Sequence, residues 1–141
     1  MTEENKPEEV SKTTVVKSRP FLLSVLSVFS LVYFGILALL FLAGLFKTAL
    51  ITRVMNQYLP TGEYTTGQVT LIFGSAFILH GLAFAGILMM WRLSKKGYYI
   101  LGIACLIIGA LQLMNPASAV SATAIYIAIT FLFGLFYTRL N

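Results

Sequence analysis

The sequence predicts an all-α integral membrane protein, with four transmembrane helices in an antiparallel up-and-down bundle and both ends in the cytoplasm. Three observations predict it. The first is composition: 58% of the 141 residues are apolar and 11% are charged, too little charge to cover a soluble domain of this size. The second is the length of the apolar runs, several of which exceed the roughly 18 residues that mark a membrane span. The third is the placement of Lys and Arg. With the N-terminus inside, Lys6, Lys12, Lys17, Arg19, Arg92, Lys95, Lys96 and Arg139 fall on the cytoplasmic side and only Lys47 and Arg53 outside. The net charge of +5 therefore reads as topology, and nucleic acid is not an expected partner.

Residues 1–18 carry Glu3, Glu4, Glu8 and Glu9 among Lys, Ser and Thr, with Pro7. Nothing there can bury surface, so a disordered cytoplasmic tail is expected. The four-helix domain then occupies residues 19–141, with spans expected at about 20–46, 67–92, 97–114 and 116–138. Pro20 suits the first turn of span one, where a missing N–H costs nothing. The run it opens is too long for the apolar core of a cleaved leader. Leu50, Val54 and Tyr58 form a weak stripe beyond Lys47. It fits either a short interfacial helix or an extension of span one. Leu59-Pro60-Thr61-Gly62 reads as a turn.

Thr65-Thr66-Gly67-Gln68 matches a capping box opening span two, with Thr65 as the cap and Gln68 reaching back. Ser94-Lys95-Lys96-Gly97 reads as a polar turn before span three. Asn115-Pro116 reads as the cap and first-turn proline of span four, which makes spans three and four a tight hairpin. Trp91, Tyr98, Tyr99 and Tyr137 fall at the cytoplasmic boundary, and Tyr58 and Tyr64 at the outer one, as interfacial aromatics do.

Lipid gives helices no hydrophobic reward for touching, so small residues mark expected contacts. Gly67, Gly74 and Gly81 recur every seven residues on span two. Gly102 and Gly109 do the same on span three, with Cys105 and Gln112 between and beyond them. Gly74, Gly81, Gly102 and Gly109 are accordingly expected in helix–helix packing, at the left-handed crossings that a seven-residue spacing favours. Ala117, Ser121, Ala124 and Ala128 make a small-residue face on span four. These faces serve either the bundle itself or a partner, a second copy included.

Chemistry is sparse. The chain has no Asp, and Glu63 is the one acidic residue outside the tail. No span holds a carboxylate, Lys or Arg near its centre, where proton-coupled transporters place one. No catalytic set, metal cluster, P-loop or paired haem histidines can be read, so no enzyme, cofactor or metal is expected. The lone Cys105 excludes an internal disulfide. His80 remains. It lies midway along span two, with Phe73, Phe77, Phe84 and Trp91 on its face. Tyr33 and Tyr126 fall at similar depth when counted at about 1.5 Å per residue. A cluster of His80, Tyr33 and Tyr126 is the one candidate site. It is either a structural imidazole satisfied by a neighbouring helix or a functional group, since a polar group in hydrocarbon needs a partner.

Three stretches taken together carry a resemblance: Arg19-Pro20-Phe21-Leu22; Lys47-Thr48-Ala49-Leu50 with Tyr58-Leu59-Pro60; and Met90-Trp91-Arg92-Leu93-Ser94-Lys95-Lys96-Gly97-Tyr98-Tyr99. Over residues 19 to about 116 the chain resembles small four-span membrane proteins of bacteria of the Bacteroidota type. The resemblance implies a bacterial inner membrane and carries no reaction and no functional residue with it. The expected role is a non-enzymatic accessory or assembly subunit acting through helix contacts, in the lipid bilayer, as a homo-oligomer or with a membrane-protein partner. The alternative is a small transporter or channel whose path is lined by Ser, Thr, Gln112 and His80.

Overall fold

A computed structural model of the chain describes residues 20–58, 63–113 and 119–140. The expected tail at 1–18, the turn at 59–62 and the Asn115-Pro116 cap lie outside them. Among the described residues the chain is helical, with no strand: α1 Phe21–Phe46, α2 Thr48–Tyr58, α3 Thr66–Trp91, α4 Lys95–Leu113 and α5 Ala119–Gly134. A 3-10 turn, Tyr137–Arg139, follows. Three of these helices, α1, α3 and α4, are long and apolar enough to cross a membrane. The described part of α5 is apolar but shorter, at 16 residues.

Pro20 stands as the cap of α1, its carbonyl accepting from the Ser24 N–H at 3.2 Å. At Lys47 the backbone turns out of the helix, and its N–H bonds back to the Gly44 carbonyl at 3.0 Å. The residues beyond are therefore a separate helix, α2, and not an extension of α1. The Leu50, Val54 and Tyr58 stripe is exposed, while Thr52 is buried and Ile51 half-buried on the inner side. The Asn56 side chain grips the start of α3. Its amide donates to the Tyr64 carbonyl at 3.0 Å and its oxygen accepts from the Tyr64 N–H at 2.7 Å. The capping box is formed in full. Gln68 N–H donates to the Thr65 hydroxyl at 3.3 Å, and Thr65 N–H donates to the Gln68 side chain at 2.9 Å.

The link from α3 to α4 is shorter than the sequence suggests. Lys95, Lys96 and Gly97 are the first residues of α4 and not a turn. The reversal is made at Leu93, which sits in the left-handed region with φ 60°. Its N–H bonds the Met90 carbonyl at 2.8 Å and Ser94 N–H bonds the Met89 carbonyl at 3.0 Å. This is the paired C-terminal cap usually built on glycine. The Leu93 side chain packs on the core, which offsets the roughly 1 kcal/mol that a Cβ costs in this conformation.

So tight a reversal forces α3 and α4 together just beyond it. Gly86 and Gly97 meet there. A Cβ on Gly86 would stand 2.9 Å from both the Gly97 carbonyl oxygen and the Leu101 nitrogen. One on Gly97 would run into the Gly86 carbonyl and stand 2.7 Å from the Met90 nitrogen. Neither glycine belongs to the seven-residue series.

Around the body, α1 packs on α3, α3 on α4 and α4 on α5, while α1 and α5 meet only slightly. The core runs through Leu23, Phe34, Ala83, Ile87, Leu101 and Phe133. Large apolar side chains cover the outside as well, among them Phe29, Leu39, Leu71, Ile78, Leu106 and Phe131. An exterior this apolar is not that of a water-soluble bundle.

The last helix departs from the expected span of 116–138. It stops at Gly134, and Phe136 N–H turns to the Phe133 carbonyl at 3.0 Å, tightening the chain into the 3-10 turn. Gly134 ends the helix beneath Tyr98, whose hydroxyl lies 3.0 Å from the place a Cβ would take. The chain then folds back and buries Leu140.

Candidate functional site

The structure brings His80, Tyr126 and Tyr33 together. His80 is 3% exposed and projects from α3 toward α5. Its Nδ1 lies 2.7 Å from the Ala76 carbonyl one turn earlier, and its Nε2 lies 3.1 Å from the Tyr126 hydroxyl. A carbonyl can only accept, so Nδ1 carries the proton and donates. In the neutral ring Nε2 is then an acceptor, and the Tyr126 O–H donates to it. With its proton committed, the Tyr126 oxygen has lone pairs to offer, and the side chains of Tyr33 and Gln112 are its neighbours. Gln112 accepts from the Thr123 hydroxyl at 3.3 Å, which turns its NH2 away from Thr123.

The result is a cluster of polar groups drawn from four helices: Tyr33 on α1, His80 on α3, Gln112 on α4, and Thr123 and Tyr126 on α5, in which the bonds from Tyr126 to His80 to the Ala76 carbonyl, and from Thr123 to Gln112, each run in one direction. Aromatic rings enclose it. The Phe41 and Phe34 rings lie 5.0 and 6.0 Å from the imidazole, and the Tyr33 ring 6.4 Å from that of Tyr126. Phe73, on the His80 face, packs edge-on against Phe41 at 5.6 Å, laid over the bare backbone of Gly44.

A cleft of about 380 Å³ between α3 and α4, with Phe41 of α1 at its wall, reaches this cluster, lined by Phe41, Ser75, Ala76, His80, Ile108 and Gln112. Ser75 spends its proton on the Ile72 carbonyl at 3.0 Å. A second cleft of about 380 Å³ approaches Tyr126 from between α4 and α5. Compared with known protein families, curated proteins and solved structures, the chain matches none. Its site is therefore read from geometry alone. Among the described residues no group of His, Cys, Asp or Glu could hold a metal ion.

Gln112 was legible beside His80 as part of a polar path, but its place next to Tyr126 was not. Thr123 lies three residues before Tyr126, a spacing that places both on one helix face, and that was the available signal.

The expected packing glycines divide. Gly109 faces Thr123, whose Cγ2 lies 3.4 Å from a built Cβ, and Gly102 faces Thr130 at 3.9 Å. Gly74 faces Leu45 at 4.0 Å. Gly81 does not fit the expectation: among the described residues, no atom of another helix lies within 4 Å of its Cβ position. Gly81→Ala should leave stability unchanged or raise it by up to about 1 kcal/mol, the intrinsic helix preference for Ala. A clear loss in detergent-based unfolding would contradict the open space. On the small face of α5, the described residues do not serve the bundle's own packing. Ala124 and Ala128 are exposed, because Thr123, Tyr126 and Phe133 take the inner face of α5. Ala117 lies outside the described residues.

Proposed function

We propose that the chain is a four-span protein of a bacterial inner membrane, with both ends in the cytoplasm, and that it serves as a non-enzymatic accessory or assembly subunit acting through helix contacts. The observation that carries the contact role is the outward face of α5. Ala124 and Ala128, one turn apart, are exposed, and α5 is held mainly by α4. Small residues at this spacing let a second helix approach closely in lipid. The inner polar groups meanwhile satisfy one another, as structural groups do.

The 16 residues of α5 reach about 24 Å of a roughly 30 Å core, so a fourth span is the part of this proposal that the topology experiment below must carry. The exposed stripe of α2 suits a helix lying at the outer interface.

Two experiments test the proposal, both in a Cys105→Ser background. For topology, Glu63→Cys should react with a membrane-impermeant maleimide from outside and Lys95→Cys should not; the reverse pattern overturns the orientation. For the contact, Ala124→Cys and Ala128→Cys should yield cross-linked adducts of this chain or of a partner in native membranes. A chain that stays strictly monomeric and captures nothing removes the contact role.

A second reading, a small-solute transporter, is favoured by the convergence of Ser75, His80 and Gln112 on one cleft. Vesicle uptake abolished by His80→Gln in a folded protein would decide for it.

A further inference from the structure

The groove between α4 and α5 has the form of a lipid site. Its floor is Gly102, Cys105 and Tyr126, and its exposed rim is Leu106, Ile127 and Phe131. The absent side chain at Gly102 opens it: the nearest atom to a built Cβ is Thr130 Cγ2 at 3.9 Å. The groove begins at Tyr98 and runs to Leu106. Eight residues at about 1.5 Å each make about 12 Å, close to the half-thickness of a roughly 30 Å hydrocarbon core. It is nearly all apolar, and it is too small for a helix of about 10 Å diameter.

The boundary end of the groove is built differently. The Tyr98 ring packs 5.3 Å from Tyr137 and 6.1 Å from Tyr99. The Tyr99 and Tyr137 hydroxyls share a hydrogen bond of 2.6 Å, which uses one of their two protons and leaves one to donate. Lys95 Nζ stands 5.8 Å from the centre of the Tyr137 ring. Lys96, Arg92 and Arg139 are exposed at the same edge. The one acidic side chain among the described residues, Glu63, is at the other end of the body, beside the start of α3.

We propose that this groove holds an acyl chain of an anionic phospholipid from the cytoplasmic leaflet, its phosphate bound by Lys95 and the spare tyrosine hydroxyl. The site rests on the membrane reading above. An apolar slot of one-leaflet depth, ending at a cation and a hydroxyl donor, matches such a lipid in length, polarity and charge. A free phosphate would use only the mouth and leave the slot empty.

The test uses the full chain in phosphatidylcholine vesicles containing a small fraction of phosphatidylglycerol with a diazirine midway along one chain. After illumination, adducts should concentrate on Leu106, Ile127 and Phe131. Unlabelled phosphatidylglycerol should suppress them severalfold and unlabelled phosphatidylcholine should not. Lys95→Gln should lower the preference for the anionic lipid roughly fivefold, the worth of one lysine near a membrane surface. Gly102→Leu should fill the slot and abolish the adducts. Lys95→Gln is exposed and leaves the fold intact, so it decides the matter if Gly102→Leu disturbs packing. Adducts spread evenly over α1 and α3, or chain-to-chain adducts in place of lipid ones, overturn the lipid site alone. A chain that does not insert into vesicles overturns the membrane reading and the lipid site together.

Discussion

Gly97→Ala is expected to cost about 3 kcal/mol, the upper end of what overpacking by one carbon does. The reason is what the new methyl would meet. On one side is the Gly86 carbonyl and on the other the Met90 nitrogen at 2.7 Å, with Met89 Cβ at 2.8 Å. These are main-chain atoms, or a carbon fixed to the main chain, of a helix that cannot give way locally. Relief therefore requires α3 and α4 to separate, and the short reversal at Leu93 prevents that. Gly86→Ala should behave similarly, since it meets the Gly97 oxygen and the Leu101 nitrogen at 2.9 Å. Equilibrium unfolding in mixed micelles measures both. Alanine is otherwise the better helix former by about 1 kcal/mol, so Gly81→Ala is the internal control. Wild-type stability at Gly86→Ala and Gly97→Ala would mean that the two helices are not in this contact.

Tyr126→Phe should destabilise the protein by about 1–2 kcal/mol, and His80→Leu by less. The asymmetry follows from the direction of the hydrogen bonds. Removing the Tyr126 hydroxyl keeps the ring but leaves the buried Nε2 of His80 without its donor, and a stranded buried acceptor costs about 1–3 kcal/mol. Removing the imidazole strands less. The Ala76 carbonyl retains its helical partner, and the Tyr126 proton can turn to its neighbours Tyr33 or Gln112. A double-mutant cycle of the two positions should give a coupling between about 0.6 and 1.7 kcal/mol, the average and the maximum for hydrogen bonds between membrane helices. Additive single effects, or a larger loss at His80→Leu than at Tyr126→Phe, would show that the relay is not directed this way.

What was legible in the sequence was what short-range rules govern. The capping box at Thr65 and Gln68 depends on four consecutive residues, and it is present as read. The convergence of His80 with Tyr126 followed from counting helical rise, because helices of known ends bring equal depths together. Helix–helix register was not legible. The seven-residue glycine series singles out one face of each helix, and for Gly81 that face meets no atom of another described helix within 4 Å. The closest approach of α3 and α4 is set by the turn between them, and the turn is tight because Leu93 adopts a conformation usually left to glycine. No periodicity announces that. The end of α5 was hidden for a related reason: the apolar pattern continues through Leu135 and Phe136, while packing beneath Tyr98 closes the helix at Gly134.

The clasp between Asn56 and Tyr64 has a bearing on the order in which the chain is assembled. In the covalent sequence α2 follows α1 after a single residue, yet most of what holds α2 in place is downstream, in Tyr64 and α3, with α1 touching it more lightly, as where Ile51 approaches Gly44. As the polypeptide emerges from synthesis, α1 can settle while α2 still lacks most of its contacts. Only when the next helix arrives does the Asn56 amide find the two backbone atoms that fit it, and the elbow between α2 and α3 locks. The second helix of this protein is thus made early and seated late.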